Sequence, residues 1–328
     1  MASYFAILAG FALLIVGGEL LVRGSVRAAE QLGVSPLLIG ITLVGFGTSA
    51  PEMVISVQAA MTGSPGIAVG NFVGSCISNI LLILGLSAMV APVAVNSNAL
   101  ARDGSVVLLT ALVFVLVSIF LPFNRIVGFT FLVALVSYLV YAWREERVAG
   151  REGHPAPFQK AEAYHLQLHR RLMSRMRAGV THLVPTMIAL AGLVVIVYGG
   201  KVLVDGAVQL ARELKISEAV IGLTIVAIGT SMPELVTSLV AAFRGHTAVA
   251  VGNILGSNIF NILAVGGSTA LLAPTTIPKQ IVWFDNFVML GAAVALVVFA
   301  RSGNRISRLE GLGLFLGYIA YLIVLWPR

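Results

Sequence analysis

Two glutamates stand inside long apolar runs, and each is reached through the same polar word. Gly47-Thr48-Ser49-Ala50-Pro51-Glu52 returns 182 positions later as Gly229-Thr230-Ser231-Met232-Pro233-Glu234. A carboxylate in hydrocarbon-like sequence is expensive and by default marks an ion or substrate site. Thr48 and Glu52, at i and i+4, share a helix face, with Ser49 beside them. Pro51 has no N–H to give the carbonyl of Gly47 and its ring crowds that carbonyl, while Gly45 and Gly47 weaken the turn before it. The helix must break there, and Pro233 with Gly229 repeats the arrangement. Carbonyls freed at membrane depth are tolerated where they face protein or a water-lined cavity, and they are hard oxygen ligands for cations. A proline kink alone is commonly structural; a kink beside an intramembrane glutamate, present twice at matched positions, points to a site.

The second duplicated word runs from Gly70-Asn71 through Gly74-Ser75-Cys76 to Asn79, and returns from Gly252-Asn253 through Gly256-Ser257-Asn258 to Asn261. The small-xxx-small spacing lets another helix backbone approach closely, and packing is sufficient reason for those glycines. Ser75 and Asn79, at i and i+4, put a hydroxyl and an amide oxygen on one face, as do Ser257 and Asn261. Singly, such residues are more often interhelical hydrogen bonders; beside two broken helices they become candidate ligands. Two carboxylates, freed carbonyls, hydroxyls and amides form an all-oxygen set suited to calcium, magnesium or sodium over zinc or copper. Calcium fits best, because it accepts six to eight oxygens in flexible geometry, and one divalent ion would neutralise the two glutamates.

The elements that must position these groups are transmembrane helices. The chain of 328 residues is 58% hydrophobic and only 11% charged, with a mean hydropathy of +0.98, against about 25% charged in a soluble domain. About 20 apolar residues span a bilayer as a helix, and ten such stretches are expected, near 4–22, 36–61, 66–90, 104–121, 126–143, 183–204, 219–243, 247–272, 281–299 and 309–326. The first has no small-residue cleavage signal and is read as a retained helix. Five stretches fall on each side of a hydrophilic segment, giving a first repeat over 1–143, a basic linker over 144–180 and a second repeat over 181–328. An odd number of spans per repeat inverts the second copy. The expected fold is thus an all-α polytopic membrane protein of ten transmembrane helices, two inverted five-helix repeats with broken helices at the midplane. Inverted repeats of this kind build secondary transporters.

The net charge of +7 reports topology rather than a nucleic-acid partner. With the N-terminus outside, 15 of the 21 Lys and Arg fall on inner loops, including Arg23, Arg27, Arg102 and the linker cluster, so both termini are placed outside and the 144–180 loop in the cytoplasm. The linker is read as a solvated connector that also fixes topology. His165 and His169, at i and i+4 within it, lack a third ligand and are read as solvated. Cys76, the only cysteine, excludes an intrachain disulfide and a thiolate metal cluster and is read as packing. Glu19, Arg23, Lys201 and Asp205 are read as interfacial. Without a Gly-Lys-Ser/Thr phosphate loop, ATP-driven pumping has no support. Without an intramembrane His or Lys base, neither has a membrane hydrolase. No cofactor and no obligate protein partner beyond the lipid bilayer is expected.

The paired GTS-x-PE and GN-x-x-GS-x-x-x-N words resemble the alpha repeats of the sodium/calcium exchanger family, within the cation/calcium antiporters, over roughly residues 17–92 and 199–274. The resemblance implies a ten-helix antiporter in which Glu52 and Glu234, with the backbone carbonyls of Thr48 and Thr230, form a central calcium site. It also implies two flanking sodium sites: one from Glu52, Ser49, Ser75 and the Gly45 carbonyl, the other from Glu234, Ser231, Ser257 and the Ala227 carbonyl, with Asn79 between them. Some family members carry Asp where this chain has Asn261, which removes one potential charge and disfavours potassium co-transport.

The resulting reading is a cytoplasmic-membrane antiporter exchanging sodium for calcium by alternating access. The alternative is a calcium/proton antiporter, although that branch resembles a GN-x-x-E word where this chain has GTS-x-PE. A passive cation channel lined by the same groups is a further alternative, disfavoured by the inverted broken-helix repeats.

Overall fold

In the computed structural model, the residues described are 2–94, 98–149, 183–214, 227–302 and 305–325. The described residues are helical almost throughout. Helix α1 (Ala2–Leu32) leads to a broken pair, α2 (Pro36–Thr48) and α3 (Ala50–Met61), bent by 42°, then to α4 (Pro65–Val90), α5 (Asn98–Phe120) and α6 (Arg125–Ala149). The second half repeats the order. It contains α7 (Val184–Glu213), α8 (Ala227–Thr230), α9 (Met232–Phe243), α10 (Thr247–Leu272), α11 (Ile281–Arg301) and α12 (Arg308–Leu325). Eight of the described helices are long and apolar enough to cross a bilayer, nine if α2 and α3 form one span. The protein is therefore a multi-pass membrane protein. The expected span over 219–243 and the expected linker fall partly outside the described residues, His165 and His169 wholly so.

Several helices outrun the apolar stretches that announced them. The stretch expected at 4–22 continues to Leu32, because helical hydrogen bonding does not stop where charge begins; it stops where a left-handed residue closes the last turn. Gly33 does this at φ +68°, and the Val34 N–H returns to the Ala29 carbonyl at 3.1 Å, a Schellman ending. Gly63 and Gly245, one offset apart, end α3 and α9 in the same way at φ +77° and +78°.

The α1 and α7 helices pack backbone to backbone. Gly10, Gly17 and Gly24 on one, and Gly192, Gly199 and Gly206 on the other, form two heptad-spaced stripes. A Cβ added at Gly24 would lie 2.4 Å from the Ala189 nitrogen, and one at Gly192 2.4 Å from the Leu21 nitrogen. Small residues permit this approach where lipid supplies no hydrophobic drive between helices.

At the centre lie α4 and α10, with 72% and 94% of their apolar windows buried, against 17% for α12. Peripheral side chains such as Phe120, Ile126 and Ile323 remain exposed, as bilayer-facing residues do. The halves are also tied at their loops. Strand β1 (Val93–Ala94) pairs antiparallel with β2 (Arg305–Ile306), and at the offset-related position the Thr275 N–H donates to the Phe123 carbonyl at 3.2 Å.

Candidate ion site

The site is built where the two breaks meet the two central helices. Ser49 leaves helical geometry at φ −82°, ψ 2°, and Ser231 does so at φ −90°, ψ 8°. Pro51 and Pro233 then restart α3 and α9 within their first two positions, with Glu52 and Glu234 in the first turns. Both carboxylates are buried, Glu52 at 0% exposure and Glu234 at 1%. Glycines bring the elements together: a Cβ at Gly252 would lie 2.5 Å from the Leu37 carbonyl oxygen, and one at Gly256 2.4 Å from that of Ile41. That contact sets α2 against α10 and carries the Gly45 carbonyl to the Ser257 hydroxyl at 3.5 Å. Among the described residues, Gly70 is approached only by the Ile281 side chain, whose Cδ1 would lie 3.8 Å from an added Cβ.

Hydroxyls cross between the repeats. Glu52 Oε1 accepts from Ser75 and from Ser231, each at 3.5 Å, and those hydroxyls are 3.3 Å apart. Glu234 Oε1 accepts from Ser49 at 3.4 Å. Thr48 Oγ1 donates to Asn253 Oδ1 at 3.1 Å and lies 3.3 Å from Ser257 Oγ. The grouping expected within each repeat, Ser49 with Glu52 and Ser231 with Glu234, is therefore not the hydrogen-bonding pattern. Residues at i and i+3 share a face only on a continuous helix; the near-zero ψ at each serine turns its side chain toward the opposite copy. Ala227 and Thr230 bound the single turn of α8, directly before Ser231.

Asn79 and Asn261 open π-helical turns in the middle of α4 and α10, a local geometry frequent at functional positions. Both are buried, and neither amide oxygen nor nitrogen of either residue has a hydrogen-bond partner. Glu52 Oε2 and Glu234 Oε2 are likewise buried and unpartnered. Buried polar groups are almost always satisfied within a protein, so these unpartnered oxygens, on helices that pack against one another, make the place a candidate ion site. Its donor set is wholly oxygen, which fits a hard cation.

Two residues outside the expected set hold the glutamates in place. Asn71 Nδ2 donates to the Glu52 carbonyl at 3.2 Å and to Ser56 Oγ at 3.0 Å; Asn253 Nδ2 donates to the Glu234 carbonyl at 3.2 Å and to Ser238 Oγ at 2.9 Å. The signal was present in the sequence, since both the asparagines and the serines repeat at the 182-residue offset. In the sequence the neighbouring glycines account for the motif as packing and leave the asparagines without a role.

The sequence and the fold have counterparts among known proteins. The sequence matches the family described as sodium/calcium exchanger protein over residues 2–144 and 184–326. The chain belongs to that family. A sodium/calcium exchanger of Methanosarcina acetivorans, MaX1, is 31% identical over 361 aligned positions, covering 99% of this chain and 98% of the relative. The inner membrane protein YrbG of Escherichia coli is 34% identical, covering 98% and 95%. Among solved structures, the sodium-calcium exchanger NCX_Mj soaked with zero Na+ and Ca2+ superposes with a TM-score of 0.83 at 31% identity, over 99% of both chains. That family is one of ion transporters.

Proposed function

We propose that this protein exchanges sodium for calcium across the cytoplasmic membrane by alternating access. The observation that carries the reading is the pair of buried glutamates, each with an unpartnered Oε2, beside Asn79 and Asn261, whose amide atoms also lack partners. Glu52 and Glu234, with the carbonyls of Thr48 and Thr230, would hold calcium, the two charges of the ion balancing the two carboxylates. Sodium would occupy flanking positions. One draws on Glu52 with Ser75 and Ser231, the other on Glu234 with Ser49 and on Ser257 with the Gly45 carbonyl; the Ala227 carbonyl extends the second. Asn79 and Asn261 provide neutral oxygens between them. Because the two cations compete for the same oxygens, only one kind is carried at a time.

The fold would comprise ten transmembrane helices, five in 1–143 and five in 181–328, the second set inverted, with both termini outside and the 144–180 loop cytoplasmic. The excess of basic residues on the inner loops supports this orientation. The names of the relatives support the pair of cargo ions. The decisive test is calcium uptake into proteoliposomes. An opposing sodium gradient at fixed pH should drive calcium uphill, and more than two sodium ions per calcium would make the cycle electrogenic. Uptake driven by a pH gradient in sodium-free vesicles, with no response to sodium at constant pH, overturns the reading in favour of proton coupling.

A further inference from the structure

The 182-residue offset relates a second pair of buried carboxylates, well away from the ion site in sequence. Asp103 falls on Asp285, and Arg102 on Phe284. Each aspartate accepts a hydrogen bond from a tyrosine on the last helix of its half: Tyr138 to Asp103 Oδ1 at 3.0 Å, and Tyr321 to Asp285 Oδ1 at 2.9 Å. Both carboxyls are buried, at 0% and 7% exposure. Their electrostatic surroundings differ. Arg102 forks onto Asp103, with Nε 2.7 Å from Oδ1 and Nη2 2.9 Å from Oδ2, and its Nη1 reaches Glu145 at 3.2 Å. In the second half Phe284 takes the place of that arginine and stacks on the Tyr321 ring. Among the described residues no Lys, Arg or His is ion-paired with Asp285.

The backbone differs as well. Residues 281–285 form a π-helical turn closed by the Asn286 N–H on the Ile281 carbonyl, whereas the equivalent stretch of α5 is regular α-helix. The turn packs against α4, α5 and the rest of α11, and Tyr321 reaches it from α12. Of the titratable groups on those elements, Tyr321 and Tyr318 lie nearby; the two rings are 6.3 Å apart. Arg102 and Asp103 sit at the opposite end of α5 from Ser118, the residue that Asn286 contacts. Arg308 and Glu310 begin α12, Cys76 faces the Asn258 carbonyl, and Lys279 is exposed. The turn also touches the ion-site helix: the Ile281 Cδ1 lies 3.8 Å from where a Cβ at Gly70 would stand. Its neighbour Asn71 holds the Glu52 carbonyl.

We propose that Asp285 with Tyr321 is a proton site at the outer end of the protein, separate from the ion site, whose occupancy adjusts exchange; its first-half counterpart is instead ion-paired with Arg102. The inference rests on the exchange reading and orientation above for its transport readout and its sidedness. An ionised carboxylate buried without a cation is far more costly than a carboxylic acid, so Asp285 holds a proton in this packing. Losing it forces the carboxylate toward water and loosens the π turn that bears on Gly70 and, through Asn71, on Glu52. Exchange then falls as outer pH rises, a limb opposite in sign to proton competition at the two glutamates.

The test sets outer pH against a fixed inner pH and sodium gradient in proteoliposomes. The wild-type protein should lose uptake on outer alkalinisation. Asp285→Asn, a permanently neutral amide that still accepts from Tyr321, should flatten that limb, and so should Phe284→Arg, which rebuilds the first-half ion pair. Infrared difference spectra of the purified protein give a readout independent of transport: a protonated-carboxyl C=O band lost on alkalinisation, missing in Asp285→Asn and kept in Glu52→Gln and Glu234→Gln. A limb unchanged in both variants, or the absence of an Asp285-dependent band, overturns the proposal. The band without sodium-driven uptake upholds the proton site and sinks the exchange reading instead.

Discussion

Replacing Asn253 with alanine should damage the protein more than replacing Asn71, although the two are equivalent by offset. Asn253 is fully buried and serves three partners: the Glu234 carbonyl, Ser238 Oγ, and the Thr48 hydroxyl that donates to its Oδ1. Interhelical hydrogen bonds in membrane proteins average about 0.6 kcal/mol, and buried bonds in general about 0.5–1.5 kcal/mol. Three bonds therefore amount to roughly 2–4 kcal/mol by those figures. Asn71, half-buried with two such bonds, comes to about 1–3 kcal/mol on the same figures. If about 2 kcal/mol of the Asn253 loss falls on the binding-competent arrangement, the apparent calcium Kd rises about 30-fold. Calcium binding by isothermal titration and thermal unfolding in detergent measure the two effects on purified protein. An Asn253→Ala variant that binds calcium as tightly as wild type, or that is less affected than Asn71→Ala, would refute the claim that this amide holds Glu234 and joins the two breaks.

Glu52→Gln and Glu234→Gln should each abolish calcium exchange while the protein still purifies as a folded species; exchange retained by either sinks the site assignment. At acid pH, protons should compete with both cations, because each proton bound to a glutamate removes charge that holds the ion; uptake at fixed sodium gradient should fall as pH drops, and the loss should be relieved by more calcium. Ser75→Ala and Ser257→Ala should raise the sodium concentration needed to drive exchange more than they weaken calcium binding, and an equal loss of both would count against the flanking positions. Gly192→Val should lower thermal stability by at least about 1–3 kcal/mol, since the Leu21 nitrogen and the Gly17 carbonyl on the facing helix are backbone and cannot rotate away.

Much of the candidate site is legible in the sequence, because buried charge and helix-breaking residues are rare enough in apolar sequence to stand out, and the duplication doubles each signal. Glu52, Pro51 and Ser75 announced themselves in this way. The crossing of Ser49 to Glu234 did not, since face arithmetic assumes a continuous helix and the break at Ser49 voids that assumption. Asn71 and Asn253 were hidden for another reason: an asparagine beside a packing glycine reads as part of the packing motif until its amide is seen on a specific carbonyl. The glycine stripes of α1 and α7 escaped because a hydropathy window scores only total apolarity. Asp103 and Asp285 escaped because each sits near the end of an apolar stretch, where an acidic residue reads as interfacial, and the burial that sets them apart comes from neighbouring helices.

The seam between α1 and α7 bears on how such a chain could have arisen. Gly17 lies against Gly192 and Ile196, and the positions one offset away answer in kind, Gly199 against Leu13 and Leu14 and Gly10 against Leu203. Each surface meets its own copy under a two-fold rotation, the reciprocity of an isologous dimer contact. A single ancestral half could therefore have recognised an upside-down twin without any new surface being invented, and joining the two genes would only have made an existing partnership permanent. Separately expressed halves, 1–149 and 183–328, should on this account still find each other in a membrane.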